Sequence, residues 1–161
     1  MMAYEKTDTV SIWPYVGIYM LVTFLVSLAL IALAIIFPSF IALTGKNTYF
    51  GVNFASTLTA YSLFIRKNGR TFHRGEYWKT VVFSTIAIIL FSMLFLLLSL
   101  ADDATAAKLR GIPFGGWVAI MALATLFAFC LNAFGYSSWF GNRMLKANRK
   151  RQTQLDTKLF R

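Results

Sequence analysis

The stretch TVVFSTIAIILFSMLFLLLSLA, residues 80–101, holds no Asp, Glu, Lys, Arg or His in 22 positions. Crossing a hydrocarbon core ~30 Å thick at ~1.5 Å per residue takes roughly 20 apolar residues, so this segment is long enough to span as a helix. Three further uncharged runs surround it, at residues 12–37, 49–65 and 114–140. The run 49–65 is the shortest, with 17 residues. It reaches only about 26 Å, so it is expected to stand nearly upright or to lean on its flanks.

Composition points the same way. The chain is 58% apolar and 14% charged over 161 residues, with a mean hydropathy of +0.62, which leaves too little polar surface to cover a water-soluble globule. Its single cysteine, Cys130, excludes an internal disulfide and reads as a small buried hydrophobe in the fourth run.

Net charge is +10, but its distribution matters more than its sum. Thirteen of the sixteen Lys and Arg fall before the first run, in the loop between runs two and three, or after the fourth run, against three in the other two loops. By the positive-inside rule both termini and the middle loop are cytoplasmic. The segment ahead of the first run carries Glu5 and Asp8 against Lys6, which is not the basic start of a signal peptide, so the first run is expected to remain as a helix. Cleavage near Ala32 or Ala34, leaving three spans, is the alternative. Trp13, Trp78, Trp117 and Trp139 stand at run boundaries, with Tyr15, Tyr49, Tyr77 and Tyr136 at similar levels, as amphipathic rings do at a headgroup zone.

In lipid, helix association relies on close backbone approach and on interhelical hydrogen bonds. Gly51, Ala55 and Thr59 recur every four residues in the second run, with Ser56 and Ala60 beside them and Asn53, Thr57 and Ser62 adding polar groups. In the fourth run Ala124, Ala128 and Asn132 recur likewise, continued by Gly135, and these two faces are expected to meet. The third run, bulky except for Ser84, Ser92 and Ser99, reads as more lipid-exposed. Counted from their run starts, Asn53 and Asn132 lie roughly 20 Å apart in depth. Each is therefore expected to bond a neighbouring helix rather than share a ligand. Pro14 and Pro113 suit helix starts, Pro38 a helix end, and Gly69 the C-cap of a second helix that projects through Arg66 and Lys67. The expected fold is all-α, a transmembrane four-helix up-and-down bundle over residues 1–142 followed by a basic cytoplasmic tail, 143–161.

Functional side chains concentrate in residues 64–79 and in the tail. His73 and Glu76 are three apart, a spacing also used by metal ligands, but no second carboxylate or imidazole accompanies them, so no metal is expected. A salt bridge from Glu76 to Arg70 or Lys79 shapes the hairpin instead, and Arg66, Arg70 and Arg74 are suited to lipid phosphates. The tail cations Arg143, Lys146, Arg149, Lys150 and Arg151 are matched to an anionic leaflet or an acidic partner. No nucleic acid is expected, since no base-stacking module accompanies the charge. Leu155, Leu159 and Phe160 supply a weak docking stripe, and Asp102-Asp103 reads as a solvated helix end. No catalytic set and no cofactor motif is present in the sequence.

The pattern Phe-x-x-Lys-x-x-Arg-x-Phe-x-x-x-Glu, from Phe64 to Glu76, together with the span layout, resembles uncharacterised families of small four-span bacterial inner-membrane proteins. That resemblance implies a bacterial inner membrane and no defined activity. The sequence favours a non-enzymatic protein acting through protein or lipid contacts, as an accessory subunit, assembly factor or immunity-type protein. A small homo-oligomeric channel or transporter is the alternative, weakened by the absence of ionisable residues within the runs. A membrane enzyme would rest only on His73, Glu76 and the nearby cations. Cysteine-accessibility labelling in intact cells is expected to report Arg70→Cys and Arg151→Cys from the same, cytoplasmic, face; labelling from opposite faces contradicts the orientation.

Overall fold

A computed structural model describes residues 10–37 and 48–159; within these ranges the side chains of Ala34, Thr48, Tyr49, Ala104, Thr105, Lys108, Gln152 and 155–159 are not described. The sequence expectations for Glu5, Lys6, Asp8, Pro38, Lys46, Phe160 and Arg161, and for the side chains of Tyr49, Ala34, Lys108, Leu155, Lys158 and Leu159, therefore lie outside the described residues. All regular structure among the described residues is helical: α1 (Trp13–Ile36), α2 (Thr48–Asn68), α3 (Arg74–Ser99), α4 (Asp103–Arg110), α5 (Phe114–Gly135) and α6 (Ser138–Leu159).

Three segments are long and apolar enough to cross a membrane, Trp13–Leu33, Arg74–Ser99 and Phe114–Arg151. Helix α2 falls short on composition, because Asn53, Ser56, Thr57, Thr59 and Ser62 dilute its apolar content. Its polar face is turned inward, with Asn53, Ser56 and Thr57 all buried. A helix whose polar stripe is covered by neighbours needs less hydropathy than one surrounded by lipid.

Helix α1 packs against α2 and α3, and α5 packs against the same two. Consecutive helices α2 and α3 thus lie across from each other rather than side by side. Tyr15 meets Phe64 and bonds Asn68, so α1 and α2 run antiparallel. Trp13 meets Phe83 and Phe24 meets Phe91, so α1 and α3 run parallel. Likewise Thr57 bonds Asn132 and Tyr61 meets Tyr136, so α2 and α5 run parallel. Direction alternates along α1, α2, α3 and α5, as the sequence suggests, while two of the four contacting pairs among these helices are parallel.

The main core cluster lies toward the end that carries the 69–73 loop. Burial in α1 stops at Thr23, in α3 at Ile88, and in α5 begins only at Ala128. Beyond those levels Leu94, Leu97, Leu123 and Leu126 are exposed. The reason is a length mismatch. Thr57 is nine residues into α2, whereas Asn132, level with it, is eighteen into the parallel α5. Helix α5 therefore overhangs α2 by about nine residues, roughly 14 Å.

The expected small-residue interface is half corrected. Gly51 and Ala55 are exposed and Thr59 half-buried, so that stripe faces outward. The inward face of α2 lies one position on, at Val52, Ser56, Ala60 and Tyr61. Size was a poor guide there because Thr57, bonded to Asn132 of α5, faces the same way. On α5, Ala124 is exposed but Ala128, Asn132 and Gly135 are buried as expected. A Cβ on Gly135 would collide with Thr57 Cγ2 and lie 3.1 Å from Thr57 Cβ. The third run is not wholly lipid-facing either, since Thr80, Val81, Ser84, Thr85, Ala87 and Ile88 are buried. Cys130 is exposed on α5, not buried. Helix α5 stops at Gly135 and the chain restarts as α6 at Ser138, so the run 114–140 is broken and the tail is helical. Gly69 adopts φ 64° and its N–H donates to Ile65 O at 2.8 Å, ending α2 past Arg66 and Lys67.

Gly135→Ala is expected to cost about 1–3 kcal/mol through overpacking against Thr57. Gly51→Ala, with nothing within 4 Å of the new Cβ, is expected to be neutral or stabilising by up to ~1 kcal/mol. Thermal unfolding in detergent compares the two.

Candidate functional site

Glu76 lies in the first turn of α3 and is 4% exposed. Arg70 grips it at both oxygens, Nη1 to Oε2 at 2.7 Å and Nη2 to Oε1 at 2.8 Å. The His73 N–H donates to Oε2 at 3.0 Å and the Val10 N–H to Oε1 at 2.9 Å. Four donors thus surround one carboxylate, which ties the approach to α1, the end of α2 and the start of α3 together. Of the two partners expected from the sequence, Arg70 is the one used. The carboxylate keeps the Arg70 guanidinium charged, raising its pKa through the hydrogen bond. Both Glu76 oxygens are occupied and His73 is exposed, so the pair is not arranged to share a metal. Phe72, next to this latch, stacks on Tyr61 with ring centroids 4.9 Å apart and meets Phe64 at 4.0 Å.

Deeper in the fold, Asn132 is fully buried and spends its whole side-chain amide between two helices. Its Oδ1 accepts from Thr57 Oγ1 of α2 at 3.0 Å, and its Nδ2 donates to Thr85 Oγ1 of α3 at 3.1 Å. Thr57 lies 2.9 Å from Asn53 O and 3.5 Å from Asn53 Oδ1. The expected 20 Å separation of the two asparagines is therefore wrong: both reach the same threonine. Counting from the run starts assumed that α2 and α5 begin at one level, and the overhang of α5 removes that assumption.

Asn53 is 1% exposed and its Nδ2 has no hydrogen-bond partner among the described residues. An orphaned buried donor costs about 1–3 kcal/mol. The residue lines a cavity of about 350 Å³ between α1, α2 and α3, walled by Thr23, Ser27, Ile88, Phe91, Ser92 and Phe95 among others. This is the space left where the core ends.

A second concavity, about 290 Å³, lies between the end of α2 and α6 and is lined by Ile65, Arg66, Gly69, Leu145, Asn148, Arg149 and Arg151. The described ion pair is Arg70–Glu76, so these three arginines have no acidic side chain against them among the described residues. Arg143 sits elsewhere, with its guanidinium 3.9 Å over the Trp139 ring. Lys146 and Lys150 are exposed on α6, and Arg74 is exposed at the start of α3. The fold brings Arg66, Arg149 and Arg151 together and leaves the other tail cations apart.

Sequence reasoning missed Thr85, Thr80 and Tyr136. Glu76, Thr80 and Ser84 recur every four residues, a polar stripe on α3 that signals a buried face. Tyr136 was expected at a headgroup boundary, yet it is buried with its hydroxyl 3.1 Å from Ser84 Oγ. Tyr15 is buried as well, and the Tyr77 hydroxyl donates to Ala133 O at 2.9 Å. An aromatic hydroxyl at the end of a run reads as interfacial whether it faces lipid headgroups or the bundle interior, and its sequence position does not separate the two.

Searches against family models, curated proteins and solved structures found no match to this chain.

Glu76→Gln is expected to cost roughly 2–3 kcal/mol, somewhat less than the ~3–5 kcal/mol of breaking a fully buried pair, because Arg70 is 27% exposed. Lys79→Gln, which leaves the latch whole, is expected to shift the unfolding midpoint little. Equal losses in both variants contradict this assignment.

Proposed function

We propose that this is a four-span, non-enzymatic protein of a bacterial inner membrane, with both termini and the 69–73 loop cytoplasmic, that acts by holding anionic lipid headgroups and, through them or beside them, a membrane partner. The observation that carries this reading is the convergence of Arg66, Arg149 and Arg151 on one cleft between α2 and α6. Arginine matches phosphate oxygens with paired donors, and basic pockets between helices on the cytoplasmic side suit acidic headgroups. In this reading α2 is the fourth span, screened from lipid by the helices that cover its polar face.

A pore through a single copy is the weaker reading. Thr57 and Asn132, the polar groups nearest the centre, are bonded to each other and to Thr85 rather than turned toward a channel. Helix-to-helix bonding of this kind supports a contact role over flux.

Native mass spectrometry in gentle detergent, with cardiolipin or phosphatidylglycerol added, tests the proposal. The triple variant Arg66→Gln, Arg149→Gln, Arg151→Gln is expected to retain several-fold less anionic lipid than the parent, and Lys146→Gln, Lys150→Gln to retain nearly as much. Equal retention by parent and triple variant contradicts it.

A further inference from the structure

The cavity beside Asn53 lies away from the basic cleft, on the far side of the Thr57–Asn132 pair, and has different chemistry. Among the described residues no ionisable side chain lines it. Asn53 offers an N–H that no described residue accepts, held on a side chain that is almost wholly buried. Thr23, whose hydroxyl donates to Tyr19 O at 2.8 Å, brings no competing free donor. Phe91 and Phe95 supply flat apolar walls, and the exposed Ile31 stands at the lining's outer edge between α1 and the surroundings.

An occupant complementary to these walls is uncharged, mostly apolar, and carries an acceptor oxygen at one end. A charged group would lose its hydration with no counter-charge to meet it. The wall is largely apolar, with the hydroxyls of Thr23, Ser27 and Ser92 as its other polar groups, so water fills only its polar part. The volume, about 350 Å³, is more than twice the ~150 Å³ of an apolar cavity that admits benzene. A ring or a length of hydrocarbon chain therefore fits beside the acceptor. We infer that this cavity binds an uncharged lipophile whose carbonyl oxygen accepts a hydrogen bond from Asn53 Nδ2.

Two sources share that chemistry, the ester carbonyl of a neutral glycerolipid and the ring carbonyl of a quinone. Delipidated full-length protein in detergent is titrated with diolein and, separately, with a decyl-substituted benzoquinone, and the ligand-dependent rise in unfolding midpoint is measured. At least one probe is expected to raise the midpoint. Asn53→Leu is expected to weaken that probe at least tenfold without lowering the midpoint of the ligand-free protein, because the substitution removes an unpaired donor. Ser27→Phe, which fills the cavity and leaves the amide in place, is expected to weaken it as well and decides the matter if Asn53→Leu folds poorly. A response to diolein alone assigns the ester lipid, a response to the quinone alone assigns the quinone, and a response to both makes the shared carbonyl the determinant. Absence of any shift, or wild-type affinity in a folded variant, overturns the inference. Neither probe carries a phosphate, so a failure here is distinct from a failure of headgroup binding at the arginine cleft.

Discussion

The Glu76 carboxylate is the fixed point of the structure because of what surrounds it. Helices α1 and α3 run parallel, so their N-termini, each bearing a partial positive charge, are brought to the same end. Left alone, two such ends repel. Glu76 accepts the N–H of Val10 ahead of one helix and of His73 at the start of the other, placing a full negative charge between them. Arg70, arriving from the end of α2, then neutralises the carboxylate through two parallel hydrogen bonds. The approach to α1, the start of α3 and the end of α2 are thereby held together at this one side chain.

From that anchor, order declines along the helices. Asn132 cross-links α2 and α3 through its amide, Gly135 lets Thr57 approach the backbone of α5, and the aromatic side chains of Tyr61, Phe64, Phe72 and Tyr136 fill the space between the loop and the amide. Past Asn53 the inward-facing residues give out, because α2 is too short to follow α5 to its far end. Helices that gain nothing from apolar burial stay together only where polar bonds and small residues hold them. The Asn53 cavity and the exposed leucines of α3 and α5 mark the level at which that supply ends.

Sequence reading recovered the helical class, the extent of α1, the end of α3, the start of α5, the Gly69 cap and the Arg70–Glu76 pair, each of which depends on local pattern or short spacing. What it missed depends on the relative depth of separate helices. Nothing in the spacing of Asn53 and Asn132 tells that α5 overhangs α2, so two residues that share Thr57 were placed far apart. The stripe Gly51, Ala55, Thr59 follows the rule for close packing, yet the adjacent Val52, Ser56, Ala60 face turns inward, where Thr57 bonds Asn132. Convergence of Arg66 with Arg149 and Arg151 was invisible for the same reason: it depends on how α6 lies against α2, a long-range relation.

The interruption at Tyr136 and Ser137 has a geometric effect on the last two helices. Ala128, Leu131, Asn132 and Gly135 define the inward side of α5, and Gly141, Met144, Leu145 and Asn148 that of α6. At ~100° per residue an unbroken helix would carry the second set roughly 140° away from the first, turning it off α2. The two-residue gap resets the winding angle, so one long apolar-to-basic segment keeps contact with α2 along both of its parts. With Tyr136 buried and bonded to Ser84, the point of that rotation is fixed, and the bearing of the arginine-lined face is set by the same tyrosine that closes the core.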